Sequence, residues 1–124
     1  MTVSTYGRIV EALTGIGANE NAIKCIAYLE TNGPSSSLQL QKETGLRQPE
    51  VSIVINQLNS EGVVNVQTLS PKGRGRPSHR YQLAIPIQHC FSKYIENAQQ
   101  KAEEVLFNIQ QSRKLISELK SKAE

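Results

Sequence analysis

Basic side chains are concentrated in one short stretch of this 124-residue chain. Residues 70–90 contain four basic residues and no acidic one, whereas residues 1–69 carry a net charge of −2 and residues 91–124 a net charge of +1. The four are Lys72, Arg74, Arg76 and Arg80. A local cluster of ammonium and guanidinium groups binds phosphate better than the same charge spread over a surface. The stretch therefore predicts contact with a polyanion.

The centre of this stretch reads Lys-Gly-Arg-Gly-Arg-Pro at residues 72–77, and it resembles the core of an AT-hook. Glycine lets the backbone approach the floor of a DNA groove, and arginine favours the narrow, electronegative minor groove of A/T-rich DNA. We expect Arg74 and Arg76 to enter that groove and Lys72 and Arg80 to contact the flanking phosphates. A short basic turn that serves only solubility is the alternative interpretation.

Groups for catalysis or metal binding are scarce. The chain has no aspartate and two histidines, which leaves little material for acid–base pairs, Asp-based triads or a metal cage. We therefore expect neither an enzyme nor a bound cofactor or metal. No apolar run reaches the roughly 18 residues of a membrane span, so no membrane association is expected.

The two cysteines, Cys25 and Cys90, lie 65 positions apart and do not form a disulfide framework. This cysteine usage is typical of a reducing cytoplasm. Both lie beside apolar stripes of predicted helices, so we expect buried small hydrophobic residues rather than a redox switch.

Hydrophobic periodicity and turn residues give the order of the elements. They predict helices over residues 3–13, 19–30, 36–44 and 48–60, strands over 63–69 and 80–85, and a long helix from Pro86 to about Lys122. Asn19 and Ser36 are the predicted caps of the second and third helices, and Pro49 fits the first position of the fourth. The basic stretch then forms the tip of a β-hairpin, with His79 at its base.

The long C-terminal helix carries an apolar seam with alternating spacings of four and three residues, which is the heptad pattern of a coiled coil. Its apolar members are Phe91, Ile95, Ala98, Ala102, Val105, Ile109, Ile116 and Leu119, with Ser112 as a polar member. A helix of roughly 55 Å cannot bury this seam on an ~85-residue globule. We therefore expect a homodimer through residues 86–124, with parallel and antiparallel pairing both open.

Two runs of sequence resemble winged helix-turn-helix transcription regulators of the MarR, ArsR and TrmB-like group. NGPSSSLQLQKETGL at residues 32–46 resembles their first helix and turn, and QPEVS at 48–52 followed by LNSEGVV at 58–64 resembles their recognition helix and its exit into the wing. Members of the group often carry a basic residue after the Val-Ser pair, where this chain has Ile53.

The resemblance implies a mainly α fold with a small β-hairpin: a winged helix-turn-helix DNA-binding domain over residues 1–85, followed by a long dimerisation helix. On the predicted recognition helix, the side opposite the apolar stripe shows four hydrogen-bonding side chains of the kinds that read base edges or hold phosphates. They are Arg47, Gln48, Ser52 and Asn56. The structural alternative is that any surface helix presents polar residues to water.

These observations predict a homodimeric, cytoplasmic transcription regulator that binds double-stranded DNA. The recognition helix would occupy the major groove and the basic wing an adjacent minor groove. Two alternatives remain open, a winged-helix adaptor for proteins and an architectural DNA binder with little sequence preference. No effector domain is visible, so any small molecule would have to bind between the core and the dimer helices.

Overall fold

The computed structural model describes residues 3–69 and 78–123, which form five helices and one antiparallel hairpin. The elements in chain order are α1 (Val3–Gly15), α2 (Glu20–Asn32), α3 (Ser37–Thr44), α4 (Gln48–Ser60), β1 (Val64–Leu69), β2 (Ser78–Leu83) and α5 (Ile87–Ala123). The predicted fold class, mainly helical with a small hairpin and a long C-terminal helix, is confirmed.

The two predicted helix caps are both present. The Asn19 side chain accepts a hydrogen bond from the Ala22 N–H at 3.2 Å. The Ser36 hydroxyl accepts from the Gln39 N–H at 3.2 Å, while the Ser36 N–H donates to Gln39 Oε1 at 2.8 Å. This reciprocal capping box fixes where α3 begins, because it satisfies N–H groups that have no partner inside the helix.

Only three residues separate α3 from α4, and Gly45 makes this tight turn possible. Its backbone has φ +76°, in the left-handed region, and its N–H donates to the Gln41 carbonyl at 3.0 Å. The helix α4 spans the predicted range 48–60, but Pro49 is not its first residue. Arg47 is the N-cap, and its N–H donates to Glu50 Oε1 at 3.0 Å, which places Pro49 second in the helix.

One face of α4 supplies the centre of the core, as the apolar stripe predicts. Its four buried residues are Val51, Val54, Ile55 and Leu58. They pack with Ile26 and Leu29 of α2, Leu40 of α3, and Val63 and Val64 at the start of the hairpin. Burial of this stripe fixes the rotation of α4 about its own axis, so the opposite face must point to solvent.

The hairpin pairs β1 with β2 from Val64–Leu83 at its base to Leu69–Ser78 towards its tip. The prediction that the returning strand runs over 80–85 is wrong by two residues at each end. The strand starts earlier because Ser78 already pairs with Leu69, and the chain turns after Leu83 towards α5.

The long helix α5 leaves the core part-way along its length. Phe91 and Tyr94 are half-buried against the core, and Cys90 is fully buried within it. By contrast, every residue from 101 to 119 is exposed. At 1.5 Å per residue, this exposed segment is about 28 Å long.

Candidate nucleic-acid interface

All four side chains predicted for the recognition helix lie on the solvent side of α4 or at its N-cap. They are Arg47, Gln48, Ser52 and Asn56, and each is exposed. Arg47, Gln48 and Ser52 lie at the N-cap or within the first five residues of the helix, near its free backbone N–H groups and the positive end of its dipole. Asn56 lies one turn further along the same side. The structure thus brings the predicted set together on one surface.

The hydrogen bonding of this surface changes at Gln57. Two polar side chains from this residue onward are paired: Gln57 Nε2 donates to Glu61 Oε1 at 3.1 Å, and the Ser60 hydroxyl donates to the Gln57 carbonyl at 2.8 Å. Among the residues that the structure describes, the side chains of Ser52 and Asn56 form no hydrogen bond to the protein. Their donors and acceptors are available to a partner.

Sequence reasoning did not include Ile53 in the binding surface, yet it lies at the centre of the exposed face. Its side chain is 68% exposed, and it stands three residues before Asn56 and directly after Ser52. The sequence contained one signal for this position: members of the group often carry a basic residue here, and this chain has Ile53 instead.

The described part of the hairpin presents one of the four predicted basic residues, in the half nearer its tip. Arg80 is exposed and faces Gln67 across the strand pair. Beside it, His79 Nδ1 lies 3.2 Å from the Thr68 hydroxyl, a hydrogen bond whose direction depends on the ring tautomer. Lys72, Arg74 and Arg76 lie outside the residues that the structure describes.

Direct backbone contacts connect the hairpin to the helix-turn-helix. The Val63 N–H donates to the Leu58 carbonyl at 2.9 Å, so β1 follows α4 with almost no intervening chain. On the other strand, Tyr81 and Ser35 exchange two backbone hydrogen bonds of 2.8 and 3.0 Å, which ties β2 to the segment before α3. These bonds hold the base of the hairpin and α4 at a fixed separation.

The predicted seam on α5 is largely open to solvent in the single chain. Five large seam residues are between 42% and 69% exposed: Ile95, Val105, Ile109, Ile116 and Leu119. Ala102 is also exposed and Ala98 is half-buried. Phe91, also predicted for the seam, is half-buried against the core of its own chain.

Three exposed apolar residues of α5 lie outside the predicted seam. They are Leu106, Phe107 and Leu115, each about 60% exposed. In the heptad frame of the seam, Leu106 and Leu115 flank it on either side, while Phe107 lies on the opposite face. The apolar surface of α5 is therefore wider than a two-stranded seam requires.

Both cysteines are fully buried free thiols, as predicted. Burial raises the pKa of Cys25 to about 11, and it also raises the pKa of Cys90, an effect that nearby Lys93 opposes. The thiolate is the reactive form, so both groups are poor nucleophiles near neutral pH.

A groove of about 390 Å³ lies where the end of α4 meets α5. Lys93 Nζ donates to the Glu61 carbonyl across this junction at 3.2 Å. Tyr94 also lines the groove, and burial raises the pKa of its hydroxyl to about 12. The junction therefore combines an apolar floor with neutral and charged polar groups.

Within residues 3–69 and 78–123, no cluster of three or more His, Cys or Glu side chains has the geometry to hold a metal ion. No described helix is both long enough and apolar enough to cross a bilayer.

No protein-family model matches the chain, and no curated protein matches it. Solved structures match its fold. A MarR family transcription regulator is 18% identical, with a TM-score of 0.53 over 84% of this chain and 66% of that one. A transcriptional regulator homologue from Pyrococcus horikoshii is 14% identical, with a TM-score of 0.54 over 80% of this chain and 97% of the other.

A third similar structure is that of BpsR from Bordetella bronchiseptica, whose DNA binding is regulated by 6-hydroxynicotinic acid. It is 19% identical, with a TM-score of 0.51 over 77% of this chain and 76% of that protein. The chain has the winged helix-turn-helix fold of these regulators, which confirms the fold that its sequence resemblance predicts.

Proposed function

We propose that the protein is a homodimeric transcription regulator of the cytoplasm that binds double-stranded DNA. One observation carries the proposal: in a helix-turn-helix, the solvent face of α4 presents free hydrogen-bonding side chains. Ser52 and Asn56 are exposed without a partner in the described part of the chain, while Gln57 is already paired. A helix presented in this way reads base edges in a major groove.

The wing extends the binding surface. Arg80 lies on β2 opposite Gln67 of β1, and the basic run 72–77 joins the two strands in the sequence. We place Arg74 and Arg76 in an adjacent minor groove, with Lys72 and Arg80 on the flanking phosphates. The absence of acidic residues from 70–90 removes the repulsion that a phosphate backbone would otherwise meet.

Dimerisation through α5 explains why its second half is exposed. Most of the stability of a helix in a protein comes from packing of its amphipathic face, and exposed apolar side chains at heptad spacing find a matching partner in a second copy. In this arrangement residues 1–85 bind DNA, and the helix from Pro86 sets the spacing of two half-sites. The two-fold axis then predicts a roughly palindromic operator.

Removing the Asn56 side chain should weaken sequence-specific binding without changing non-specific binding. An asparagine paired with a base edge contributes about 1–3 kcal/mol of discrimination, so Asn56→Ala should lower affinity for a duplex selected from a random pool by about 10-fold or more. Fluorescence anisotropy with the selected duplex and a scrambled duplex measures both effects.

The matched control for this experiment is Gln57→Ala, on the same helix but on a side chain already bonded to Glu61. It should change both affinities by less than about twofold, since it removes no base contact. Equal losses on the selected and scrambled duplexes for Asn56→Ala would remove α4 from sequence recognition.

The wing should prefer A/T-rich DNA. In wild-type protein we expect tighter binding to an A/T-rich than to a G/C-rich duplex, and Arg74→Ala/Arg76→Ala should abolish the difference, because these guanidinium groups occupy the narrow groove. Lys114→Ala/Lys120→Ala removes the same charge from α5 and should keep the preference. If the wing variant keeps it as well, the minor-groove assignment is wrong and the recognition helix alone provides specificity.

A further inference from the structure

Ile53 is a large apolar side chain on the face of α4 that is otherwise polar. The buried stripe of the helix runs through Val51, Val54, Ile55 and Leu58. Helical periodicity places Ile53 almost opposite that stripe, next to Asn56 and one turn after Pro49. Its 68% exposure shows that folding of the chain does not use most of its surface.

Local helix stability does not account for an isoleucine at this place. Glutamine, lysine, glutamate and arginine all have a higher helix propensity at an exposed position. A β-branched side chain offers instead a rigid apolar surface, because its first torsion has one strongly preferred rotamer in a helix. Such a side chain loses little conformational entropy when it contacts a partner.

The chemistry around Ile53 restricts what that partner can be. Ser52, directly before it, and Asn56, one turn after it, carry free hydrogen-bonding groups, so the partner must present polar atoms and one apolar group within a few ångströms. In a DNA major groove, the thymine C5-methyl is the only apolar group among the donors and acceptors of the base edges. An A·T pair presents this methyl beside the adenine N6 and N7 atoms that asparagine binds.

We propose that Ile53 contacts the C5-methyl group of a thymine and so makes this thymine a requirement in each half-site. The inference rests on the proposed function, since it assumes that α4 lies in the major groove. Asn56, one helical turn away on the same face, binds the adenine of the same or the adjacent base pair. Ile53 is then a specificity-determining residue that reads shape and apolar surface instead of hydrogen bonds.

Uracil in place of thymine tests the contact directly, because it removes the methyl group and leaves the base pair unchanged. The probe is a duplex selected by the wild-type protein from a random pool, with each thymine replaced in turn by deoxyuridine. For wild type we expect one position per half-site where the replacement weakens binding about fourfold, the effect of removing one buried methyl(ene) group at about 0.8 kcal/mol. Replacing both symmetric positions should cost about 15-fold.

Ile53→Ala completes the comparison. The variant should bind the unmodified duplex more weakly than wild type and show no further loss on deoxyuridine at that position, since the two changes remove the same contact. Ile16→Ala is the matched control: it truncates another exposed isoleucine, which lies beside Gln57 and Glu61 at the far end of α4, and should keep the full deoxyuridine effect. An unchanged thermal midpoint shows that Ile53→Ala folds.

Three results would overturn the inference, and they are distinguishable. If no deoxyuridine weakens wild-type binding, or if Ile53→Ala retains the full effect, the thymine contact is absent while DNA binding by the protein stands. If wild type selects no duplex from the pool, the proposed function fails as well. In that case Ile53 belongs to a surface for another macromolecule.

Discussion

Replacement of Ile109 by lysine should convert the proposed dimer into monomers and lower the affinity of the protein for a two-half-site duplex by about 100-fold or more. Ile109 lies in the middle of the exposed seam of α5 and is 42% exposed within one chain, so the substitution costs the protomer little. In the proposed dimer, the partner helix covers the same position. A buried, unpaired ammonium group is strongly unfavourable there. Two separate monomers then bind the two half-sites without the gain in affinity that linkage of the protomers provides.

Sedimentation velocity measures the first effect, because a single chain has a mass of 13.7 kDa and the dimer twice that. The matched control is Gln110→Lys, one residue further along α5 and outside the seam, which should remain dimeric. A monomeric wild-type protein, or an Ile109→Lys variant that stays dimeric, would contradict dimerisation through this seam.

Truncation of Leu40 to alanine should lower the free energy of unfolding by about 2–5 kcal/mol. Leu40 is 0% exposed and joins α3 to the core formed by α2 and α4. Its loss removes apolar contacts and leaves a cavity that a helix held at both ends by caps cannot easily close. Because α3 positions the turn before α4, we also expect weaker DNA binding well below the thermal midpoint.

The control lies two residues away. Leu38 belongs to the same short helix but is 66% exposed, so Leu38→Ala makes the same chemical change without burial. Urea unfolding of both variants should show a loss of less than about 0.5 kcal/mol for Leu38→Ala. Similar losses at both positions would show that Leu40 does not anchor α3 in the core.

Local signals in the sequence were sufficient to predict the helices of the domain. Asn19, Ser36 and Gly45 act on backbone groups within four residues of themselves, and the structure shows each of them capping a helix as its residue type predicts. The buried stripe of α4 followed from periodicity alone, and with it the exposure of Ser52 and Asn56 on the other side.

Features that depend on distant contacts could not be predicted in the same way. The limits of β2 depend on its register with β1 and on the pairing of Tyr81 with Ser35, which is 46 residues earlier in the chain. Phe91 fits the heptad pattern, but its side chain also packs against the core of its own chain. The heptad pattern also does not include the exposed Phe107, because it selects only the positions that face a single partner helix.

Ile53 shows a further limit of reasoning from residue types. Residue types predict that the polar side chains of α4 bind DNA, because base edges are polar. The same reasoning treats Ile53 only as a position that lacks a basic residue. The structure shows that this side chain has no role in the core. Its exposure, which periodicity could already have indicated, is what gives it a place in the proposed interface.

The most direct test of the account is a salt titration of wild-type binding to a pool of random duplexes, followed by sequencing of the bound fraction. If Arg47, Lys72 and Arg80 of each protomer contact phosphates, the dimer neutralises about six of them, and affinity should fall about 1,000-fold between 50 and 200 mM salt. The bound fraction should be enriched in a two-fold symmetric site with A/T-rich flanks. An absence of binding to the pool at moderate salt would contradict DNA binding and favour a winged-helix adaptor that binds proteins.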